Sequence, residues 1–122
     1  MFHDVGPEFV RDKLGRPEYQ IIDVRTPEEY IRYHIPSSLL VPLPYIFELI
    51  DLLDQKKLPI VVCEHGARSS RVCYELGLTH NLGYNMIGGM NEWMRRGYIY
   101  ETGIDELGMR WAKFLKERGI IK

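Results

Sequence analysis

The sequence predicts an α/β fold with a central, mostly parallel sheet of about five strands, flanked by helices and followed by a C-terminal helix. Short apolar runs that end in charged or polar residues alternate with segments of helical periodicity, as they do in βα units. The apolar runs are nearly continuous, which is typical of strands buried on both faces of a parallel sheet. A chain of 122 residues is expected to form one domain with its own core.

The first part of the chain predicts a helix, a strand and a second helix. Gly6 and Pro7 can start a short helix, with the proline at its first position. Residues 19–24 form an apolar run that ends in charge, and we predict a buried strand there. Thr26 and Pro27 follow as the N-cap and the first residue of the next helix.

The middle of the chain continues the alternation. A second strand is predicted over residues 39–41 and a third over residues 58–62. Between them, apolar residues recur at helical spacing, which predicts an amphipathic helix over 45–55. A helix follows the third strand after a loop, and the last strand and helix of this series are predicted over 82–86 and 89–95.

The C-terminal segment is predicted as a helix that extends a core of about residues 5–98. Asp105 can cap this helix, which lies within an extension of about residues 104–118. Apolar side chains share one of its faces: Leu107, Trp111, Phe114 and Leu115. We expect this face to pack on the same domain, and a surface for a partner subunit is the alternative.

Composition and charge narrow the function classes. Hydrophobic residues make up 45% of the chain and charged residues 27%, as in ordinary globular domains. The net charge of −1 gives no electrostatic reason to expect nucleic acid or an anionic membrane as a partner. Residues 1–20 lack the apolar region of a signal peptide, and two cysteines do not suggest a disulfide framework, so we expect a cytoplasmic protein.

The strongest functional signal follows the third predicted strand, in the sequence V-V-C-E-H-G-A-R-S-S. Cys63 lies at the carboxyl end of that strand, the edge at which open α/β sheets bind ligands. Backbone N–H groups at the start of the following helix attract anions, and the helix dipole favours an ionised sulfur. The motif therefore predicts cysteine chemistry on an anionic or sulfur-bearing group, with a buried structural cysteine as the alternative.

Each neighbour of Cys63 carries its own expectation. Gly66 is predicted to adopt the backbone conformation that a tight anion cradle requires. Arg68, a cation at a helix start, is expected to meet an anion or a carboxylate. Ser69 can either cap the helix or line the cradle. His65 is expected at the pocket rim, and the spacing of ligand-type residues does not predict a metal site.

Together with two flanking segments, this loop resembles the rhodanese family of sulfurtransferases. The family's first signature is matched by residues 21–25 (I-I-D-V-R), 29–30 (E-Y), 34–36 (H-I-P) and Pro42. Its second signature, G-G-x-x-x-W, is matched by Gly88, Gly89 and Trp93. The matching segments occur in the family's order over about residues 5–98, with Cys63 between them.

Three departures from the family pattern stand out. Tyr33 replaces the glycine before His34, and Ser37 with Ser38 replaces a Gly-Ala pair. Glu64 stands where sulfurtransferases that act on thiosulfate often carry a basic residue. We interpret the first two changes as local packing, whereas a carboxylate at the loop mouth is expected to repel thiosulfate.

The resemblance implies a sulfur-transfer cycle that needs no cofactor. The Cys63 thiolate takes the outer sulfur of a small donor, such as thiosulfate or a persulfide, and passes it to cyanide or to a thiol, a protein thiol included. The expected substrate-binding residues are the rest of the loop: Glu64, His65, Gly66, Ala67, Arg68 and Ser69. Nucleic acid and membranes are not expected as partners.

Structural roles are expected for several other residues. By the resemblance, His34 is a structural histidine near the core, and we expect Trp93 to fill the core beneath the sheet. Arg25 and Glu29 are expected to form an ion pair that fixes the turn between them. Cys73 lies on the inner face of the helix after the loop and is expected to be buried packing rather than a second reactive thiol.

Two other functions compete with sulfur transfer. Phosphatases and arsenate reductases of related fold carry a thiolate and an arginine as C-x5-R, whereas Cys63 and Arg68 are spaced C-x4-R. A loop shorter by one residue encloses less space, which suits a single sulfur atom better than a tetrahedral oxyanion. The third hypothesis is a non-catalytic binding module, against which the intact cysteine, glycine and arginine argue.

Overall fold

The computed structural model describes residues 2–49, 54–77, 82–104 and 106–120, in which strands and helices alternate. The strands are β1 (Phe2–Val5), β2 (Tyr19–Asp23), β3 (Leu39–Leu40), β4 (Leu58–Val62) and β5 (Gly83–Met86). The helices are α1 (Pro7–Lys13), α2 (Pro27–Arg32), α3 (Ile46–Leu49), α4 (Ala67–Leu76), α5 (Gly89–Arg95) and α6 (Glu106–Glu117), with a 3₁₀ turn (Leu43–Tyr45) before α3.

The strands form one sheet in the order β1-β5-β4-β2-β3, and all neighbouring pairs run parallel. Parallel neighbours require crossover connections, and these connections carry the helices. The predicted α/β fold with a parallel sheet is therefore confirmed. Because β4 lies in the middle of the sheet, Cys63 emerges between the ends of β5 and β2.

Successive residues of the central strands supply two separate hydrophobic layers. Ile22 and Val61 belong to one layer, whereas Ile21 and Ile60 belong to the other. This assignment follows from the period of two along a strand, which sends neighbouring side chains to opposite faces of the sheet. The second layer contains Trp93, which is fully buried as predicted and donates its indole N–H to the carbonyl oxygen of Ile99 at 2.8 Å.

The edge strand β1 was not among the strands predicted from the sequence. Its sequence is F-H-D-V, and the two central side chains, His3 and Asp4, are exposed. An edge strand has only one hydrogen-bonded neighbour and needs no continuous apolar run, so its sequence carries a weak signal. Residues 2–5 pair with β5 in parallel register.

The helix predicted over 45–55 is shorter than expected at its C-terminal end. Within the described residues it comprises the 3₁₀ turn and α3, while Asp54 and Gln55 are not helical. The Asp54 side chain accepts a hydrogen bond from the Lys56 N–H at 2.9 Å, a local interaction that competes with helix formation. Two residues of the predicted apolar face, Ile50 and Leu53, lie outside the described residues.

The C-terminal helix α6 packs against the sheet on the side of β3. Leu115 is buried, Trp111 and Phe114 contact the first hydrophobic layer, and the Trp111 indole N–H donates to the carbonyl oxygen of Leu40. The apolar face of α6 therefore packs on its own domain, as expected. The predicted cap, Asp105, lies outside the described residues. Among the helices of the described ranges, none is long and apolar enough to cross a membrane.

Ser37 adopts a left-handed backbone conformation. Its φ of +65° is the single positive value outside glycine in the described part of the chain, and the family pattern carries glycine at this position. A left-handed conformation costs a non-glycine residue about 1–2 kcal/mol, whereas glycine adds about 0.5–1 kcal/mol of unfolded-chain entropy. Ser37 therefore makes the turn before β3 a strained one.

We expect Ser37→Gly to raise the free energy of unfolding by about 0.5–1 kcal/mol, because it removes the left-handed strain. Ser37→Ala is the matched control, since it removes the hydroxyl and keeps the Cβ that causes the strain. Urea denaturation followed by circular dichroism measures both variants. A Ser37→Gly protein that is less stable than Ser37→Ala would contradict this account.

Candidate active site

Cys63 lies at the carboxyl edge of the sheet, directly after the central strand. Its neighbour across the edge is Val24, since Asp23 pairs with Val62 at the ends of β2 and β4. Only 1% of Cys63 is exposed. Residues 63–66 form a short loop that leads straight into α4. The central position of β4 therefore places the thiol where parallel sheets bind ligands.

The sulfur of Cys63 sits in a cradle of polar groups from the start of α4. The N–H of Gly66 points to Sγ at 3.0 Å and the N–H of Ser69 at 3.3 Å. The hydroxyl oxygen of Ser69 accepts from the Cys63 thiol at 3.3 Å, and the hydroxyl donates to the carbonyl oxygen of Gly66 at 3.2 Å. Of the two alternatives for Ser69, the structure places it in the cradle, where its side chain is fully buried.

The conformation of Gly66 makes this cradle feasible. Its φ is +98°, as predicted for a residue that must turn the chain tightly. A Cβ at this position would also lie 3.1 Å from the backbone nitrogen of Gly88, in the turn before α5. Both the backbone angle and this close approach favour glycine, so the two loops that meet here constrain each other.

The start of α5 fastens the Cys63 loop from the other side. The N–H of Met90 donates to the carbonyl oxygen of Cys63 and the N–H of Asn91 to that of Glu64, both at 2.8 Å. A Cβ on Gly89 would lie only 2.4 Å from the Cys63 carbonyl oxygen. Gly89 of the second signature therefore allows this backbone contact, a role that the sequence did not predict.

A buried cluster around Arg25 holds the same loop by side chains. The fully buried guanidinium contacts the Asp23 carboxylate through Nε at 3.0 Å and Nη2 at 2.8 Å. It also donates to Glu64 at 3.0 Å and to the carbonyl oxygen of Tyr33 at 2.6 Å. The expected ion pair between Arg25 and Glu29 is therefore wrong, because the Arg25 side chain turns inward to its own strand and to the loop.

Glu64 is anchored on two sides by this cluster. Its second carboxylate oxygen accepts a hydrogen bond from the Tyr33 hydroxyl at 2.8 Å, and 15% of the side chain is exposed. Burial opposes the charge of Arg25, but the hydrogen bonds that it donates to the Asp23 and Glu64 carboxylates leave its pKa above the ordinary value. Burial and the Glu64 carboxylate raise the pKa of the Tyr33 phenol, which keeps it a hydrogen-bond donor.

Arg68 finds the compensating carboxylate that its position at a helix start predicts. Its guanidinium donates to both oxygens of Glu29, at 2.9 and 2.8 Å. This bidentate pair is the main cause that lowers the pKa of Glu29 to about 2. Glu29 also completes a capping box with Thr26, so one carboxylate links α2 to α4.

The remaining predicted residues lie as follows. His65 and Ala67 are exposed, at the rim of the loop. His34 is buried, stacks on the Tyr30 ring with centroids 3.9 Å apart, and holds Nδ1 at 2.9 Å from the Tyr30 carbonyl oxygen. Within the described ranges, side chains of the metal-binding types do not gather into a group of three or more.

Cys73 has an environment unlike that of Cys63. It is 4% exposed, and its sulfur lies 3.9 Å from the carbonyl oxygen of Tyr84. Burial, assisted by the Asp4 carboxylate, raises the pKa of the Cys73 thiol to about 12. A thiol with this pKa stays protonated near neutral pH, so Cys73 is a packing residue, as predicted.

Comparisons with known proteins point to one family. A family model described as the rhodanese-like domain matches residues 6–96. A putative sulfurtransferase of Bacillus subtilis, YtwF, is 34% identical over 91 residues, which cover 74% of this chain and 88% of the relative. The thiosulfate sulfurtransferase GlpE of Pseudomonas syringae is 35% identical over 83 residues, which cover 67% of this chain and 77% of the relative.

A solved structure supports the same relationship. The crystal structure of a rhodanese-related protein from Thermoplasma volcanium superimposes with a TM-score of 0.73 at 27% identity, covering 81% of this chain and 97% of the other. The sequence signatures, the parallel sheet and the loop after β4 therefore have one common explanation. The chain belongs to the family of rhodanese-like domains, whose matched relatives include proteins named as sulfurtransferases.

Proposed function

We propose that this protein is a single-domain sulfurtransferase in which Cys63 carries the transferred sulfur as a persulfide. The observation that supports this proposal most strongly is the cradle around Sγ, in which two backbone N–H groups donate to the sulfur at 3.0 and 3.3 Å. Amide groups fixed in this way stabilise a negative sulfur at no cost of reorganisation. The remaining loop residues are proposed to bind the donor: Glu64, His65, Gly66, Ala67, Arg68 and Ser69.

The proposed cycle has two displacement steps on sulfur. The Cys63 thiolate attacks the outer sulfur of thiosulfate, the bond between the two sulfurs of the donor breaks, and sulfite leaves with the bonding electron pair. The product is a Cys63 persulfide whose terminal sulfur is negative. A cyanide or thiolate acceptor then attacks that terminal sulfur and releases thiocyanate or an acceptor persulfide, and the Cys63 thiolate is regenerated.

A groove next to the loop supports an organic thiol as acceptor. It encloses about 340 Å³ beside Val24, the neighbour of Cys63 at the sheet edge. Apolar side chains supply much of its wall, among them Pro42, Leu43 and Tyr45. Arg68, in the first turn of α4, also lines the groove. A groove of this size holds the body of a small thiol or one side chain of a protein, with Arg68 of the loop region at its wall.

Replacement of Cys63 is the direct test of this mechanism. Cys63→Ser should abolish sulfur transfer from thiosulfate to cyanide, and the treated protein should lack the added mass of one sulfur atom. Cys73→Ser is the matched control, because Cys73 is buried and its thiol is protonated near neutral pH. Intact turnover in Cys63→Ser, or loss of turnover in a stable Cys73→Ser protein, would show that the nucleophile is misassigned.

The pair between Arg68 and Glu29 leads to a second prediction. Arg68→Ala should lower kcat/KM for thiosulfate about tenfold, the size of a lost charge-assisted contact of about 1.5 kcal/mol. Glu29→Gln should leave the Arg68 charge in place and reduce the rate less. Steady-state kinetics at fixed ionic strength compares the two variants, and an equal loss in both would mean that Arg68 acts only through its pair with Glu29.

The same pair makes a prediction about stability and pH. The pKa of Glu29 is about 2 in the folded chain against an ordinary value of 4.5, so the pair stabilises the fold above pH 4.5 and loses its effect as the pH falls toward 2. Because the pair is partly exposed, we expect Glu29→Gln to cost about 1 kcal/mol at pH 7 and almost nothing at pH 2. Unfolding curves at both pH values measure this difference.

Glu64 should restrict the donors that the site accepts. The Glu64 carboxylate shares the Arg25 guanidinium with Asp23, so negative charge beside the loop is only partly compensated and disfavours a dianion such as thiosulfate. Glu64→Gln keeps a hydrogen-bond acceptor for Arg25 and removes the charge. This variant should raise kcat/KM for thiosulfate a few-fold, mostly at low ionic strength. A variant with unchanged kinetics at both ionic strengths would exclude Glu64 from donor selection.

A further inference from the structure

A second cavity lies at the amino ends of the strands, whereas Cys63 lies at their carboxyl ends. It encloses about 330 Å³ and is bordered by the turn after α1, the starts of β2 and β3, and Lys57 just before β4. The strand β4 runs from the cavity to the Cys63 loop, and its five residues span about 13 Å at 3.3 Å per residue. A ligand in this cavity would therefore be distinct from the sulfur donor or acceptor at Cys63.

The charges that line this cavity all have the same sign. Lys13, Arg16 and Lys57 contribute to its wall, and carboxylates are missing from its described lining residues. Glu18 and Asp54 are close in sequence but do not line it. In the described part of the chain, these three cations form no ion pair, whereas Arg25, Arg68, Arg71, Arg95 and Arg96 all do. In a chain with a net charge of −1, this is a local concentration of positive charge.

One of the three cations is held in place by aromatic rings. The ammonium group of Lys13 lies 4.7 Å from the centre of the Phe9 ring and 5.4 Å from that of Tyr19. Tyr19 itself packs edge-on against Phe9, with ring centres 6.3 Å apart. Cation–π contacts of this kind restrict a lysine that would otherwise sample many rotamers. A restricted cation loses less entropy when an anion binds.

The one described non-glycine residue with a left-handed backbone borders the same cavity. Ser37, the residue with a φ of +65°, is one of the lining residues. Glycine would satisfy this turn without strain, yet the chain carries a residue with a hydroxyl there. Strained backbone conformations cluster at binding and active sites, which makes Ser37 a reason to look for a ligand here. The hydroxyl of Ser37 adds a neutral hydrogen-bonding group to a wall that already holds three cations.

The rest of the wall is suited to an organic molecule rather than to an ion alone. Apolar side chains lie between the cations: Leu14, Pro17, Ile21, Pro36 and Leu39. The volume is at the lower end of the range found for small-molecule sites. A ligand that fits must therefore combine several negative charges with a compact carbon body.

We propose that this cavity binds a small organic polyanion with at least two negative charges, either a phosphate ester or a polycarboxylate. Its positive groups are Lys13, Arg16 and Lys57, and Ser37 contributes a hydrogen bond. The site is separate from the sulfur-transfer site proposed at Cys63, because it lies at the amino ends of the strands.

The test uses the full ¹⁵N-labelled chain and three probes: pyrophosphate, citrate and ADP. Each probe is titrated at low and at high salt while amide shifts are followed by NMR and affinity by calorimetry. We expect ADP or citrate to produce saturable shifts at residues 13–20, 36–39 and 57, to bind more tightly than pyrophosphate, and to weaken at high salt. Shifts confined to residues 63–69 would overturn the proposal, because the anion would then occupy the Cys63 loop.

Two matched triple variants separate a built site from a general charge effect. Replacement of Lys13, Arg16 and Lys57 by glutamine should weaken binding of the better organic probe about tenfold or more. Replacement of Arg32, Lys56 and Lys113 by glutamine changes the net charge equally, and these exposed residues do not line the cavity. Equal weakening in both variants would overturn the proposal. Thiosulfate turnover in the two triple variants should be the same.

The single variants at Ser37 and the choice of probe complete the test. Ser37→Ala and Ser37→Gly should both weaken binding a few-fold, although only Ser37→Gly should stabilise the fold. Unchanged affinity in both would remove Ser37 from the site. Binding of ADP alone assigns a phosphate ester, and binding of citrate alone assigns a polycarboxylate. Binding of pyrophosphate alone, or of none of the three probes, would contradict an organic polyanion site.

Discussion

The candidate active site depends on a backbone constraint, namely the path of the chain immediately after β4. The loop must turn so tightly that two amide groups reach one sulfur, and Gly66 meets this demand with a φ of +98°. The opposing turn must approach the same loop closely, and Gly89 allows Met90 to hold the Cys63 carbonyl oxygen. The polar groups around the sulfur are thus set by backbone geometry, which does not have to reorganise when charge develops.

Side chains also hold the Cys63 loop in place, and two of them are departures from the family pattern. Tyr33 stands in place of a glycine and Glu64 in place of a basic residue, and the two side chains form a direct hydrogen bond at 2.8 Å. The buried guanidinium of Arg25 accommodates the resulting carboxylate. Read separately, these substitutions look like a packing change and a charge change. In the structure they form one unit with Arg25 that fixes the residue next to Cys63.

The sequence predicted what depends on local pattern and missed what depends on contacts between distant segments. The buried central strands, the position of Cys63 and the left-handed Gly66 follow from apolar runs, motif spacing and turn chemistry. The partners of Arg25 could not be derived, because Glu29 and Glu64 are both acidic and only the folded chain decides which one it meets. The edge strand β1 was missed because a strand with one neighbour and exposed side chains carries no distinctive pattern.

The pairing of Arg68 bears on which chemistry the loop can support. In a site for a tetrahedral oxyanion, an arginine must offer its guanidinium fork to the anion. Here both ends of that fork are directed to Glu29, at 2.9 and 2.8 Å, so the charge nearest to the loop is already partly neutralised. The groups that donate to the Cys63 sulfur are the amides of Gly66 and Ser69, whereas the Ser69 hydroxyl donates to the carbonyl oxygen of Gly66. In the sulfur transfer proposed above, these amides act at the sulfur itself, and Arg68 adds a charge beside the loop while it stays paired with Glu29.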